Sequence, residues 1–173
     1  MVQAALDHLQ GVIAQCGAAV YVQPGLPRVV ASQTLLEQIL TNLLANALAY
    51  GARPGEAPRV EVGCDDLGEQ WRLYVRDRGP GIPPDQRERI FGLFERLALG
   101  TTANPEGTGL GLTIVRRAAE ALGGAAGVDS PPGGGATFWV VFPKVPAAAG
   151  RREALAPVAA GVAGAPNGAT LRV

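Results

Sequence analysis

The sequence predicts an α/β (α+β) two-layer sandwich, a mixed, largely antiparallel sheet covered on one face by helices. Three observations carry this. Segments 59–65 and 70–77 alternate apolar and polar residues, the period of a half-buried strand, and AAGVDS with ATFWVVFP reads as a further hairpin. Segments 33–50 and 109–122 instead repeat their apolar residues at helical spacing. Glycine and proline clusters punctuate the boundaries between them.

The elements follow in order. Leu6, Leu9, Val12 and Ile13 suit a short helix over 2–15, ended near Gly17. AAVYVQ (18–23) and RVVA (28–31) read as strands around a turn at Pro24–Pro27. Ser32 is placed to cap a helix from Gln33 to Tyr50, whose stripe is Leu36, Ile39, Leu40, Leu43, Leu44 and Ala47. After a loop at 51–58 comes a hairpin, 59–65 with 70–77, joined at 66–69. Val60, Val62, Cys64, Trp71, Leu73 and Val75 form its buried face; Arg59, Glu61, Arg72 and Arg76 form its wet face. A short helix at 84–96, a polar loop at 97–106 and a helix at 109–122, stopped by Gly123 and Gly124, come next. AAGVDS and ATFWVVFP make the last hairpin, turning through Pro131–Gly135. The sequence thus divides into one domain over 1–144 and an Ala/Gly/Pro-rich tail over 145–173, which lacks periodicity and reads as flexible.

Composition narrows the functions available. Hydrophobic residues are 47% and aromatics 5%, so the core is built from Leu, Val, Ile and Ala. Fifteen basic residues balance fifteen acidic ones, which argues against broad attraction to nucleic acid or to an anionic membrane. Cys16 and Cys64 lack metal spacing and read as buried, reduced thiols. No apolar run is long enough to span a bilayer and no signal-peptide pattern follows Met1. The expected location is cytoplasmic, as a free domain or as the cytoplasmic part of a membrane-bound sensor.

The chemistry lies in four segments. GTGLGLTIVRRAAEALGG (107–124) runs a glycine-rich loop into a helix, where backbone N–H groups and the positive dipole end can hold an anion. In QILTNLLANALAY (38–50), Gln38, Asn42 and Asn46 make a polar line at i, i+4, i+8 on an apolar helix. Amide oxygens there suit one or two positions on Mg²⁺ already bound to triphosphate, though a solvated helix face uses the same residues. DRGPGI (77–82) closes a strand with a carboxylate and two glycines. Such a carboxylate can accept from an adenine amino group, and an Asp-initiated turn with positive-φ glycines is satisfied equally. IFGLFER (90–96) is the fourth segment. Neither a dinucleotide fingerprint nor a Walker A loop fits, because the glycines run G-x-G-x-G after a non-strand segment and no Gly-Lys-Ser/Thr follows.

In this order and spacing the four segments resemble the N, G1, F and G2 boxes of the ATP-binding catalytic domain of bacterial sensor histidine kinases, the Bergerat or GHKL fold. The resemblance covers about residues 6–143. It implies ATP and Mg²⁺ as cofactors, with Asn46 the metal ligand and Asn42 supporting the metal–phosphate cluster. It implies Asp77 for adenine, with Gly79, Gly81 and Ile82 lining the base. Arg96 would reach the phosphates, and Phe91 and Phe94 would anchor a lid over 97–106. Gly107, Thr108, Gly109, Leu110 and Gly111 would form the phosphate loop. Tyr50 fits either the aromatic edge of this pocket or core packing. Asn42, Asn46 and Arg96 are then the catalytic candidates, acting by positioning and charge neutralisation.

Two departures stand out. Ala49 replaces the basic residue that commonly follows the second N-box asparagine by three positions, unless Arg53 or Arg96 substitutes, and Ser32 replaces an Asp before that helix. His8, followed by Leu9 and Gln10, lacks the surroundings of the phosphoacceptor and reads as an exposed residue of the first helix. The expected function is donation of the γ-phosphoryl of Mg·ATP to a histidine on a separate dimerisation domain absent from this chain, and indirectly to a response regulator. Nucleic acid and direct membrane contact are not expected. Alternatives are a nucleotide-sensing or scaffold domain without transfer, a GHKL-type ATPase, for which Asn42 stands where the water-activating Glu belongs, and an anti-sigma-type serine kinase.

Overall fold

The computed structural model describes residues 1–92 and 109–145. In chain order these form α1 (Val2–Cys16), β1 (Ala19–Val22), α2 (Gln33–Tyr50), β2 (Arg59–Asp66), β3 (Gln70–Asp77), two 3₁₀ turns (Pro84–Gln86 and Arg89–Phe91), α3 (Gly111–Ala121), β4 (Ala125–Asp129) and β5 (Thr137–Pro143). The five strands make one sheet in the order β1-β2-β3-β5-β4. Only the β1–β2 pair is parallel, so the sheet is mixed and largely antiparallel, as the alternating segments predict.

The core lies between one face of the sheet and α2 with α3. Leu36, Ile39, Leu40, Leu43 and Leu44 of α2 are fully buried against Val62, Val75, Val140 and Val115. The five α2 residues with Val62 and Val75 are positions the helical stripe and the strand alternation pick out. α1 packs on α2 through Ala5 and Leu9. It stops where Gly17 turns to φ 63°, with the Gly17 and Ala18 N–H groups donating back to Ala14 and Ile13. Ser32 caps α2 through a 3.5 Å contact from the Leu35 N–H.

Three expectations are corrected. Residues 28–31 form no strand. β1 pairs instead with 59–62 in parallel, so α2 is the crossover between β1 and β2. Pro24 and Pro27 remove ladder donors from the intervening turn, and Val30 is 70% exposed. Within the predicted helix 84–96, the described part is the two 3₁₀ turns. Their bonds run from residue i to i−3, Phe91 N–H to the Glu88 carbonyl and Gly92 N–H to the Arg89 carbonyl, and Gly92 turns extended at φ −73°, ψ 165°, which stops the helical pattern there. The remainder of that segment, with Phe94 and Arg96, lies outside the described residues, as do the 97–106 loop, Gly107, Thr108 and the tail from 146. The last helix starts at Gly111, not Gly109, because Gly109 has φ +69°.

The outer sheet face is also drier than its charges suggest. The Tyr74 ring lies over Gly63, where a Cβ would come within 2.2 Å of its hydroxyl, and Trp139 lies over Gly127 in the same way. Tyr74 is only 8% exposed, and its hydroxyl donates to Glu61 at 3.1 Å. The Arg72 and Arg76 guanidiniums stack 5.3 Å from Trp139 and 5.4 Å from Tyr74.

Candidate nucleotide site

Asp77 is 7% exposed, one of two buried polar residues among those described, the other being Ser130. Its Oδ1 accepts from the Gly79 N–H at 2.9 Å and the Ala136 N–H at 3.2 Å. Burial pushes this carboxyl above the ordinary aspartate range, and the two backbone donors oppose the shift without cancelling it. A buried carboxylate with one oxygen tied down is suited to accept from a ligand donor with the other.

Glycines allow this crowding. A Cβ on Gly51, at the end of α2, would lie 2.5 Å from the Asp77 Cβ, and one on Gly79 would lie 2.9 Å from the Tyr50 carbonyl and the Gly51 Cα. Gly81, at φ +86°, faces Ser130, and Ile82 is buried behind it. Ser130 Oγ accepts from the Ile82 N–H at 2.9 Å and donates to the Gly135 carbonyl at 2.7 Å. Arg87 donates to the Ser130 and Ile82 carbonyls. The β4–β5 turn therefore backs the whole 77–82 loop. Sequence reading missed this contribution of Ser130, Arg87 and Arg53, although the triglycine run at 133–135 was a visible signal.

The second half of the site joins α2 to the start of α3. The Asn42 amide donates to the Gln38 carbonyl one turn back at 2.8 Å, which turns its Oδ1 toward Gly111, where a Cβ would sit 3.2 Å away. Asn46 is half-buried one turn further on, and Tyr50 is 40% exposed at the end of the same helix. α3 has no side-chain cap on its first amides. Thr113 ties its first turn to the preceding segment by donating to the Gly92 carbonyl at 2.8 Å. The structure thus brings Asn42 and Gly111 together and aligns Asn46 and Tyr50 along α2 toward the Asp77 end. Ala49 is exposed, and the Arg53 guanidinium donates to the Gly133 carbonyl at 2.7 Å.

A separate groove of about 260 Å³ lies between Ala4, Ala5 and His8 of α1 and Glu37, Gln38, Thr41 and Asn42 of α2. It shares only Asn42 with this site, and it lacks the convergent buried donors and acceptor found at Asp77.

The profile of the histidine kinase-, DNA gyrase B- and HSP90-like ATPase family matches residues 31–146. The chain belongs to this family. It is 41% identical over 139 residues to cyanobacterial phytochrome A of Nostoc sp., covering 80% of this chain and 18% of that protein. It is 38% identical over 144 residues to the methanogenesis regulatory histidine kinase FilI of Methanothrix harundinacea, covering 83% of this chain and 16% of that one. The chain thus spans under a fifth of the length of these relatives. Among solved structures, full-length ShkA in complex with AMPPNP superposes with a TM-score of 0.66 at 32% identity, over 84% of this chain and 30% of that one. The catalytic domain of histidine kinase ThkA superposes with a TM-score of 0.65 at 27% identity, over 84% of this chain and 92% of that one. ThkA in complex with the response regulator protein TrrA gives 0.64 at 26%, over 84% and 40%. Within its family, then, the chain is homologous to the catalytic domains of sensor histidine kinases.

Proposed function

We propose that this chain binds Mg·ATP and donates the γ-phosphoryl to a histidine on a separate dimerisation domain, as the catalytic part of a two-component sensor kinase. The observation that carries the reading is the buried Asp77 carboxylate, held by two backbone N–H groups one loop away from the Asn42–Gly111 contact. Asp77 accepts from the adenine amino group through its second oxygen, with Gly79, Gly81 and Ile82 against the ring and Tyr50 at its edge. The donor set fits a metal–triphosphate at the other end. Asn46 and Asn42 offer neutral amide oxygens, and the uncapped amides of α3 with Gly109, Leu110 and Gly111 offer donors to phosphate oxygens. Gly107, Thr108 and Arg96 complete this set by resemblance. Mg²⁺, when bound, neutralises the charge that grows on the phosphates during transfer.

The chain's own residues position and neutralise; the incoming imidazole is the nucleophile, so no general base is needed here. Asn42 is an amide, whose oxygen is too weak a base to activate water, which disfavours an ATPase. The structure of ThkA with TrrA supports a response regulator as the indirect partner. Among the described residues no helix is long and apolar enough to cross a membrane, which is compatible with the cytoplasmic location proposed.

One observation favours a second reading, nucleotide sensing without transfer: Ala49 is exposed, and Arg53 is engaged elsewhere. Calorimetric titration with ATP, with and without Mg²⁺, followed by radiolabelled ATP and an acceptor domain, separates the two. Label on the acceptor histidine is the expected result. Binding with no transfer to any of several acceptor domains selects the sensing reading, and absence of binding overturns both.

A further inference from the structure

The β4–β5 turn is closed at its base by Ser130 Oγ, which donates to the Gly135 carbonyl at 2.7 Å, and its glycine tip has little else of its own to hold it. Gly133, Gly134 and Gly135 sit at φ 105°, 104° and 79°, and the bond across the turn, from the Gly134 N–H to the Pro131 carbonyl, is 3.3 Å long. Yet its far end supplies two contacts that shape the base loop. The Gly135 N–H donates to the Gly79 carbonyl at 2.7 Å, and the Ala136 N–H donates to Asp77 Oδ1. Glycine is required at Gly134, where a Cβ would fall 2.8 Å from the Gly79 carbonyl and 2.9 Å from the Arg53 guanidinium. Three consecutive glycines carry the largest conformational entropy a turn can lose. Two side chains grip them: Ser130 Oγ donates to the Gly135 carbonyl at the far end, and Arg53 holds the tip through the 2.7 Å bond to the Gly133 carbonyl.

We propose that Arg53 is a positioning residue for base recognition: by pinning the triglycine turn it keeps the Ala136 N–H on Asp77 Oδ1 and so leaves the other carboxylate oxygen aimed at the purine. The proposal rests on the reading of Asp77 as the base acceptor. It makes Arg53 a determinant of which base binds rather than a phosphate contact. Freed from the Ala136 donor, the carboxylate can rotate and meet donors placed differently on another purine. Loss of Arg53 then weakens ADP and ATP by the same factor, and it erodes the preference for ADP over GDP.

The test is calorimetry of the 173-residue chain with ADP, ATP and GDP, on the parent, Arg53→Ala, Arg53→Lys and Asp77→Asn, beside thermal melting. The expected result for Arg53→Ala is about a tenfold loss for ADP and ATP alike, the scale of one charge-assisted hydrogen bond. GDP should lose much less, the melting temperature of the free chain should be unchanged, and Arg53→Lys should recover most of the loss, since its ammonium can still donate to a single carbonyl. Unchanged ADP affinity, a larger loss for ATP than for ADP, or an equal loss for GDP overturns the proposal. If Arg53→Ala melts early, Arg53→Gln carries the same comparison. Asp77→Asn isolates the underlying reading. Parent-like ADP binding there removes the base site itself, whereas abolished binding alongside a silent Arg53→Ala removes only the role of Arg53.

Discussion

Asp77 shows how a single side chain sets function against stability. Its pKa in the folded chain is raised by burial, so the fold favours the protonated form. Stability is therefore lost as pH rises from the unfolded value, near the ordinary 3.8, through the folded one, and the charge is carried at a cost at neutral pH. Asp77→Asn keeps an oxygen for the Gly79 and Ala136 N–H groups and removes that cost. The expected outcome is a melting temperature at pH 7 equal to or above the parent's, with the gain shrinking toward pH 3, together with loss of ATP binding, because an amide N–H₂ now faces the adenine amino group. The same shift places the acid limb of ATP affinity above the usual carboxylate range: binding holds at higher pH and fails as Asp77 takes up its proton. Titrating affinity from pH 7 downward in the parent checks this. At the metal end, Asn46→Ala should remove the Mg²⁺-dependent part of ATP affinity and spare the Mg²⁺-independent part, read by the same calorimetry.

At the scale of elements, α2 does two jobs with one sequence. Its apolar stripe carries the core, with Leu40 and Leu43 fully buried, while Asn42 and Asn46, both half-buried, lie on its flank where metal–phosphate contact is proposed. Leu40→Ala should destabilise by about 2–5 kcal/mol through transfer and cavity costs, measured by denaturant unfolding. α3 is held differently. Its N-terminus relies on Thr113 and the Gly92 carbonyl rather than on a cap, while its C-terminus is closed by the Gly123 and Gly124 N–H groups, which donate to the Glu120 and Ala119 carbonyls at 2.9 Å. Thr113→Val removes the first tether at a cost of about 1 kcal/mol. That variant should lower nucleotide affinity more than unfolding stability, since it loosens the end of the helix proposed to meet phosphate. The contrast between a backbone-closed C-terminus and a side-chain-tethered N-terminus suits a helix that starts at a binding loop.

For the whole molecule, the sheet separates chemistry from bulk. The site opens where α2 ends and α3 begins, and the opposite sheet face is covered by Tyr74 and Trp139 with their stacked arginines. Cys64 sits within this frame, its thiol pushed up to about 11 by burial and by Asp65 and Asp66. At pH 8 it should resist thiol reagents in the folded chain and react only at the rate of global unfolding, whereas half-buried Cys16 should react sooner. Mass spectrometry after timed labelling distinguishes the two.

The sequence by itself determined the two helical stripes, the alternating strands, and the order and spacing of the motifs that carry Asn42, Asn46, Asp77 and Gly111, the residues proposed for one site. Those properties are local: a period of 3.6 or 2, or a fixed spacing along one element, is written in neighbouring residues. Only the tertiary structure decided that 28–31 is not a strand, that β1 joins the sheet in parallel, and that the segment before Gly92 folds as 3₁₀ turns. It alone joined Arg53 to Gly133 and Ser130 to Ile82, partners 80 and 48 residues apart. No periodicity marks such contacts. They depend on which strands become neighbours in the sheet, and that pairing is settled by the packing of the assembled core.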